Sequence, residues 1–269
     1  MSLIQWNLSS QCLSGETTVS IILPVMRGSQ TPEAFYRSGK KYKVLWLLHG
    51  AYGDHTDWVR RTQIELYANA RDLIVVMPSG LTAGYINWPT FGPGYRMYDF
   101  LLDELMPLVY GWLPASDKRE DNYIAGLSMG GSGTCIYAFN HPEKFAGAAV
   151  FSASPRDLAW IRENDPVRYQ RAVTSALMNH GSLEAFEASY ENTWRLIDEH
   201  AHDPNLPKLY FTCGMEDGGY PAFQHFQRHA EAIGLPATFE SVPSYRHEWP
   251  FWDLAVKKAL DFFEIPAAR

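Results

Sequence analysis

Cysteine is scarce in this chain of 269 residues: Cys12, Cys135 and Cys213 stand far apart, with no CxxC spacing. That excludes a zinc knuckle and a disulfide framework, and it leaves at least one thiol unpaired in a monomer. An unpaired thiol fits a reducing compartment, so a cytoplasmic protein is expected. Long apolar runs are missing too, and none approaches the roughly 20 residues of a membrane-spanning helix. Met1-Ser2-Leu3-Ile4-Gln5-Trp6 has no basic segment ahead of an apolar one, so no secretory leader is expected. Positive charge is in deficit: 23 Lys and Arg face 30 Asp and Glu, for a net charge of -7. This argues against a nucleic-acid or anionic-membrane partner and leaves a small molecule as the natural one.

What is present is ordinary for a soluble globular protein, with 46% hydrophobic and 20% charged residues. The length suits one large α/β domain over 1–269, and no repeat, low-complexity tract or long linker divides it. Trp6 to Cys12 and Thr17 to Leu23, separated by Ser14-Gly15, read as an N-terminal hairpin. Val44 to Leu48 is continuously apolar, as a strand covered on both faces must be. Leu73 to Met77, Tyr123 to Ala125, Phe145 to Phe151, Lys208 to Cys213 and Thr238 to Val242 supply further strands. Thr62-Gln63-Ile64-Glu65 has the spacing of a capping box, and Pro107 predicts a kink or break in the helix begun near Leu101. Residues 155–205 are helical and interrupted, and they read as a cap inserted in the domain. Strands alternating with helices imply a mostly parallel sheet with helices on both faces.

One short stretch carries chemistry. Gly126-Leu127-Ser128-Met129-Gly130-Gly131 joins an apolar strand to a helix that must stop before Pro142. Gly-x-Ser-x-Gly in that setting is a nucleophile elbow, with the serine on a tight turn at a helix N-terminus. A Gly-rich turn can also be merely structural, so the pattern needs partners. A serine hydroxyl at neutral pH requires a base to take its proton and an acid to orient that base. Downstream, Gly214-Met215-Glu216-Asp217-Gly218-Gly219 offers Asp217 at a strand's end, with Glu216 as competitor. Of nine histidines, His247 alone follows that acid on a loop after a strand. An oxyanion needs two backbone donors. Met129, after the nucleophile, is one; Ala51 of His49-Gly50-Ala51 is the second, ahead of Tyr52. His49 itself precedes Ser128 and is expected to shape the loop. Cys135 reads as a small buried hydrophobe. Among the aromatics, Tyr85, Trp88, Phe91 and Tyr95 of the long loop, with Trp160 and Trp194 of the cap, are candidates to line a substrate pocket; Tyr85, Trp88, Trp160 and Trp194 are singled out.

Taken together, Leu48-His49-Gly50-Ala51 with Trp58, Gly126 to Gly133, Cys213-Gly214-Met215-Glu216-Asp217 and His247-Glu248-Trp249 resemble the esterase D-like α/β-hydrolases. That group includes S-formylglutathione hydrolases, feruloyl and acetyl-xylan esterases, and small tributyrin-esterase-type acyl esterases. The resemblance implies an α/β-hydrolase fold, a triad of Ser128, Asp217 and His247, and an oxyanion hole from Ala51 and Met129. It also implies a serine carboxylesterase acting on small short-chain acyl or acetyl esters, with no metal or cofactor. Leu127 and Ser132 stand where S-formylglutathione hydrolases carry histidines, which weighs against a glutathione thioester. Competing expectations are an acyltransferase, a thioesterase of that kind, or a catalytically silent ligand or carbohydrate binder. Oligomeric state is left open, a homo-oligomer included.

Overall fold

The computed structural model describes residues 2–28 and 30–268. Its strands run in chain order as β1 (Ser2–Ser10), β2 (Gly15–Leu23), β3 (Val44–Leu48), β4 (Ile74–Pro78), β5 (Asn87–Trp88), β6 (Tyr95–Arg96), β7 (Asn122–Leu127), β8 (Gly147–Phe151), β9 (Lys208–Gly214) and β10 (Ala237–Val242). Eight of them form one sheet, ordered β1-β2-β4-β3-β7-β8-β9-β10, while β5 and β6 make a separate two-stranded ribbon. From β4 to β10 every pairing is parallel; β1–β2 and β2–β4 are antiparallel. The expected hairpin is therefore present, and longer than its apolar residues suggested.

Why the central strands read as unbroken apolar runs is now plain. In β3, Val44, Trp46 and Leu48 belong to the core on one face, and Leu45 and Leu47 to the core on the other. Each such side chain, fully removed from water, contributes roughly 1.5–3 kcal/mol before entropy is counted. The first face is covered by helices Met129–Asn140 and Tyr220–Ala232, the second by Ile64–Asn69 and Trp249–Phe262. Four helices, Leu158–Asn164, Pro166–His180, Leu183–Glu187 and Thr193–His200, lie between β8 and β9 in the chain.

Two local expectations change. Thr62 makes no capping box. Its hydroxyl donates to the carbonyl of Trp58, closing the preceding short helix Asp57–Arg61, and accepts from the Ile64 amide at 3.2 Å, while among the described residues Glu65 returns no bond. The Gln63 amide, ahead of Ile64–Asn69, instead donates to the Asp253 carboxylate at 2.8 Å, from far along the chain. Pro107 does not end its helix. The backbone widens to a π-helical stretch over Phe100–Leu105 and continues as Met106–Trp112, the widening falling in the turn to which Pro107 has no N–H to donate.

The order of connection matters most for function. From β3 the chain moves outward to β4 on one side, then returns to place β7 on the other. The crevice beyond the carboxyl ends of β3 and β7 is thus a topological switch point, where open α/β sheets bind ligands.

Candidate active site

Ser128 sits at that switch point, immediately after β7 and before helix Met129–Asn140, with φ 51° and ψ -114°. A non-glycine residue held at positive φ is strained, and the sharp turn it makes lifts the side chain clear of the sheet. Small neighbours make the turn possible. A Cβ on Gly126 would lie 2.3 Å from the carbonyl oxygen of Gly130, and one on Gly130 would lie 2.5 Å from that of Leu48. Backbone, not flexible side chain, occupies both places.

Ser128 Oγ lies 3.0 Å from His247 Nε2, and His247 Nδ1 lies 2.7 Å from Asp217 Oδ2. Because Asp217 accepts at Nδ1–H, Nε2 is left as the acceptor facing the serine hydroxyl. Asp217 Oδ1 accepts a second hydrogen bond, from the Gly219 amide at 2.7 Å. Burial works against the charge on Asp217, but the hydrogen bonds from His247 and Gly219, with the Ser152 hydroxyl, outweigh it. The carboxyl is held below its ordinary range. The competitor, Glu216, turns outward and pairs with Arg246 at 3.2 Å.

Two backbone donors stand unused at this corner. Among the described residues, neither the Ala51 nor the Met129 amide donates to a protein acceptor. Tyr52 differs, since its amide is engaged by Thr82 Oγ1 at 3.0 Å. His49 braces the loop that carries Ala51. It is buried, with Nε2 accepting from the Gly80 amide at 2.8 Å and Nδ1 therefore donating to the Gly50 carbonyl at 2.6 Å. Burial lowers the pKa of this imidazole, in keeping with a neutral ring in that bonding pattern. Trp58, also buried, donates from its indole to the Leu48 carbonyl at 3.1 Å.

A cavity of about 710 Å³ opens over Ser128, lined by Ala51, Met129 and His247 and roofed by residues from 155–205. Trp88 and Trp160 are in its wall. Tyr85 and Trp194 are not, and these two expectations are corrected. Tyr85 is wholly buried beneath the site, packed where a Cβ on Gly133 would touch its ring, with its hydroxyl donating to the His49 carbonyl at 3.2 Å. Trp194 stacks against His225, itself a wall residue, and against His229, at centroid distances of 5.4 and 4.3 Å. Phe91 is exposed at the surface, while Tyr95 is in the core. Cys135 is buried, and burial pushes its thiol pKa far up, as a small hydrophobe requires.

Sequence reasoning missed Ser152 and Trp252. Ser152 follows β8 as Ser128 follows β7, and has the same unusual φ of 51°. Its Oγ accepts from Trp252 Nε1 at 3.1 Å, which frees its own proton for Asp217, and the Trp252 ring stands edge-on to His247. A serine just past an apolar strand next to the nucleophile strand was the available signal. Arg156 was missed as well, since nothing in its neighbourhood sets it apart from a surface arginine.

The Esterase family model, described as "Putative esterase", matches residues 10–255. The chain belongs to this esterase family. Consistent with that, it is 25% identical over 268 residues to an acetyl esterase of Caldicellulosiruptor saccharolyticus, covering 97% of this chain and 98% of that one. An S-formylglutathione hydrolase (FrmB) from Staphylococcus aureus superposes with a TM-score of 0.80 at 30% identity, over 98% of this chain and 99% of that one. The S-formylglutathione hydrolase of Agrobacterium tumefaciens, at 20% identity and a TM-score of 0.76 over the whole of both chains, shares the fold. The esterase thus has the α/β-hydrolase fold, and it is an enzyme that hydrolyses carboxylic esters. No helix among its described residues is long and apolar enough to cross a membrane.

Proposed function

We propose that this esterase is a serine carboxylesterase that cleaves small short-chain acyl esters through an acyl-enzyme on Ser128. The observation that carries the reading is the unbroken chain from Ser128 Oγ through His247 to Asp217, with contacts of 3.0 and 2.7 Å, at the floor of a roofed cavity. His247 Nε2 takes the hydroxyl proton as Ser128 Oγ forms a bond to the ester carbonyl carbon. The carbonyl oxygen becomes an oxyanion, received by the free amides of Ala51 and Met129; one such donor is typically worth about 10²–10³ in rate. The bond to the leaving oxygen then breaks, and His247 returns its proton to the departing alcohol. Water repeats the sequence, losing a proton to His247 and releasing the acid, while Ser128 regains its hydrogen. Throughout, Asp217 keeps the proton on Nδ1 and stabilises the transient imidazolium.

In this reading the helices of 155–205 act as a cap within a single domain, and Trp88 and Trp160 limit the size of the group that fits. Three buried free thiols support a reducing, cytoplasmic setting. The test is hydrolysis of p-nitrophenyl acetate, butyrate and octanoate by the protein and by Ser128→Ala. Loss of turnover with the variant is expected, and undiminished turnover would refute the mechanism.

A thioester substrate is the second reading, favoured by the 30% identity to the staphylococcal S-formylglutathione hydrolase. Comparing kcat/KM for S-formylglutathione and p-nitrophenyl formate separates the two.

A further inference from the structure

The cavity wall holds more positive charge than the proposed chemistry uses. Three arginines line it, Arg156, Arg168 and Arg171, against three acids, Asp157, Glu191 and Asp217. The acids are each committed. Asp217 holds His247, Asp157 caps helix Leu158–Asn164 and meets His225 Nε2 at 2.8 Å, and Glu191 faces His180 at 3.1 Å. The arginines are not. Arg168 has only Asp165, at 3.4 Å and half in solvent, and among the described residues Arg156 and Arg171 have no carboxylate within ion-pair distance.

Arg156 is the most telling of the three. Much of its side chain is accessible, yet burial is the leading influence on its guanidinium, with Arg168 reinforcing that effect and Glu191 opposing it. Its side chain is one of those that line the cavity over Ser128. A guanidinium remains charged in such a place, and five donors with no acceptor among them call for an anion. The location is also within reach of the ester. Arg156 follows Ser152 by four residues, at most about 14 Å of extended chain, and Ser152 lies beside the triad acid. Arg156 and Ser128 line the same cavity, so one bound ester can meet both.

We propose that Arg156, backed by Arg168 and Arg171, is an anion-recognising subsite, and that the ester this enzyme takes carries a carboxylate or similar acidic group. This rests on the esterase reading for its location, since the subsite is a wall of the same cavity. A paired carboxylate would gain charge-assisted, bidentate hydrogen bonds, whereas a neutral isostere would leave the fork unpaired.

Binding to Ser128→Ala, measured by calorimetry, tests the idea without requiring turnover. Monomethyl succinate is compared with dimethyl succinate, which places the anion on the acyl side; acetoxyacetate is compared with methyl acetoxyacetate, which places it on the alcohol side. The charged member of one pair is expected to bind about tenfold or more tighter than its neutral partner, the scale of a charge-assisted pair. Adding Arg156→Gln should abolish that preference, and Arg156→Lys should restore part of it. Equal binding within both pairs overturns the proposal, as does a preference that survives Arg156→Gln. Should the native enzyme turn over none of these esters while Ser128→Ala still prefers the anion, the catalytic reading fails and the subsite stands.

Discussion

Asp217 Oδ2 lies 2.7 Å from Nδ1 of His247, the carboxylate side chain almost sealed at 2% exposure and the imidazole 44% exposed. The carboxylate is thus shielded from water while the imidazole opens to the cavity. That division fits a group whose task is to hold a tautomer rather than to exchange protons. Asp217→Asn keeps the shape but can donate to Nδ1 and turn the ring's free proton toward Ser128. A loss of kcat of about 10⁴ is expected, the scale of this substitution in serine proteases. Steady-state kinetics on p-nitrophenyl acetate checks it.

The same residue makes a prediction for pH. Its carboxyl pKa is depressed in the folded protein, so its ionised form stabilises the fold at pH values above the ordinary range near 3.8. That contribution is lost as pH falls through the lower folded-state value. Urea denaturation of the native protein and Asp217→Asn should show their stability difference shrinking toward the acid end, below about pH 4. A difference that is constant across pH 3 to 7 would be inconsistent with the hydrogen bonds described.

His49 shows the opposite residue type with a related sign. Burial lowers its pKa from 6.5, so the unfolded chain binds the proton more readily than the folded one. Stability contributed by the neutral ring is complete above about pH 6.5 and declines as pH falls toward the folded-state value. Replacing His49 with Gln should flatten that decline between pH 7 and 5. It should also cost about 1–3 kcal/mol overall, because the Gly80 amide or the Gly50 carbonyl loses its buried partner. Chemical denaturation at several pH values reads both effects.

Trp88 and Tyr85 lie three residues apart and should behave differently. Trp88 forms part of the cavity wall, so Trp88→Ala should widen the acyl-length profile and raise KM for short esters. Tyr85→Phe removes a buried hydrogen bond to the His49 carbonyl, which should lower stability by about 1 kcal/mol and leave the acyl profile in place. A p-nitrophenyl ester series with denaturation curves for both variants distinguishes a wall residue from a core residue.

The sequence by itself determined the strands of the parallel sheet, because runs such as Val44–Leu48 and Tyr123–Ala125 can be apolar throughout only if both faces are covered. It also made legible the order of Ser128, Asp217 and His247 on which the proposed mechanism rests, since each stands just past a strand in residues that can turn. Tertiary structure alone decided the rest. Thr62 looked like half of a capping box with Glu65, but its hydroxyl bridges the preceding helix and the Ile64 amide, and Asp253, 190 residues on from Gln63, takes the Gln63 amide. Tyr85 and Trp88 are equivalent as letters, and only the helix packed beneath one and the cavity above the other separates them. Arg156 carries no local mark at all. Periodicity and turn chemistry act over a few residues, whereas what a side chain faces depends on elements brought together by the whole sheet.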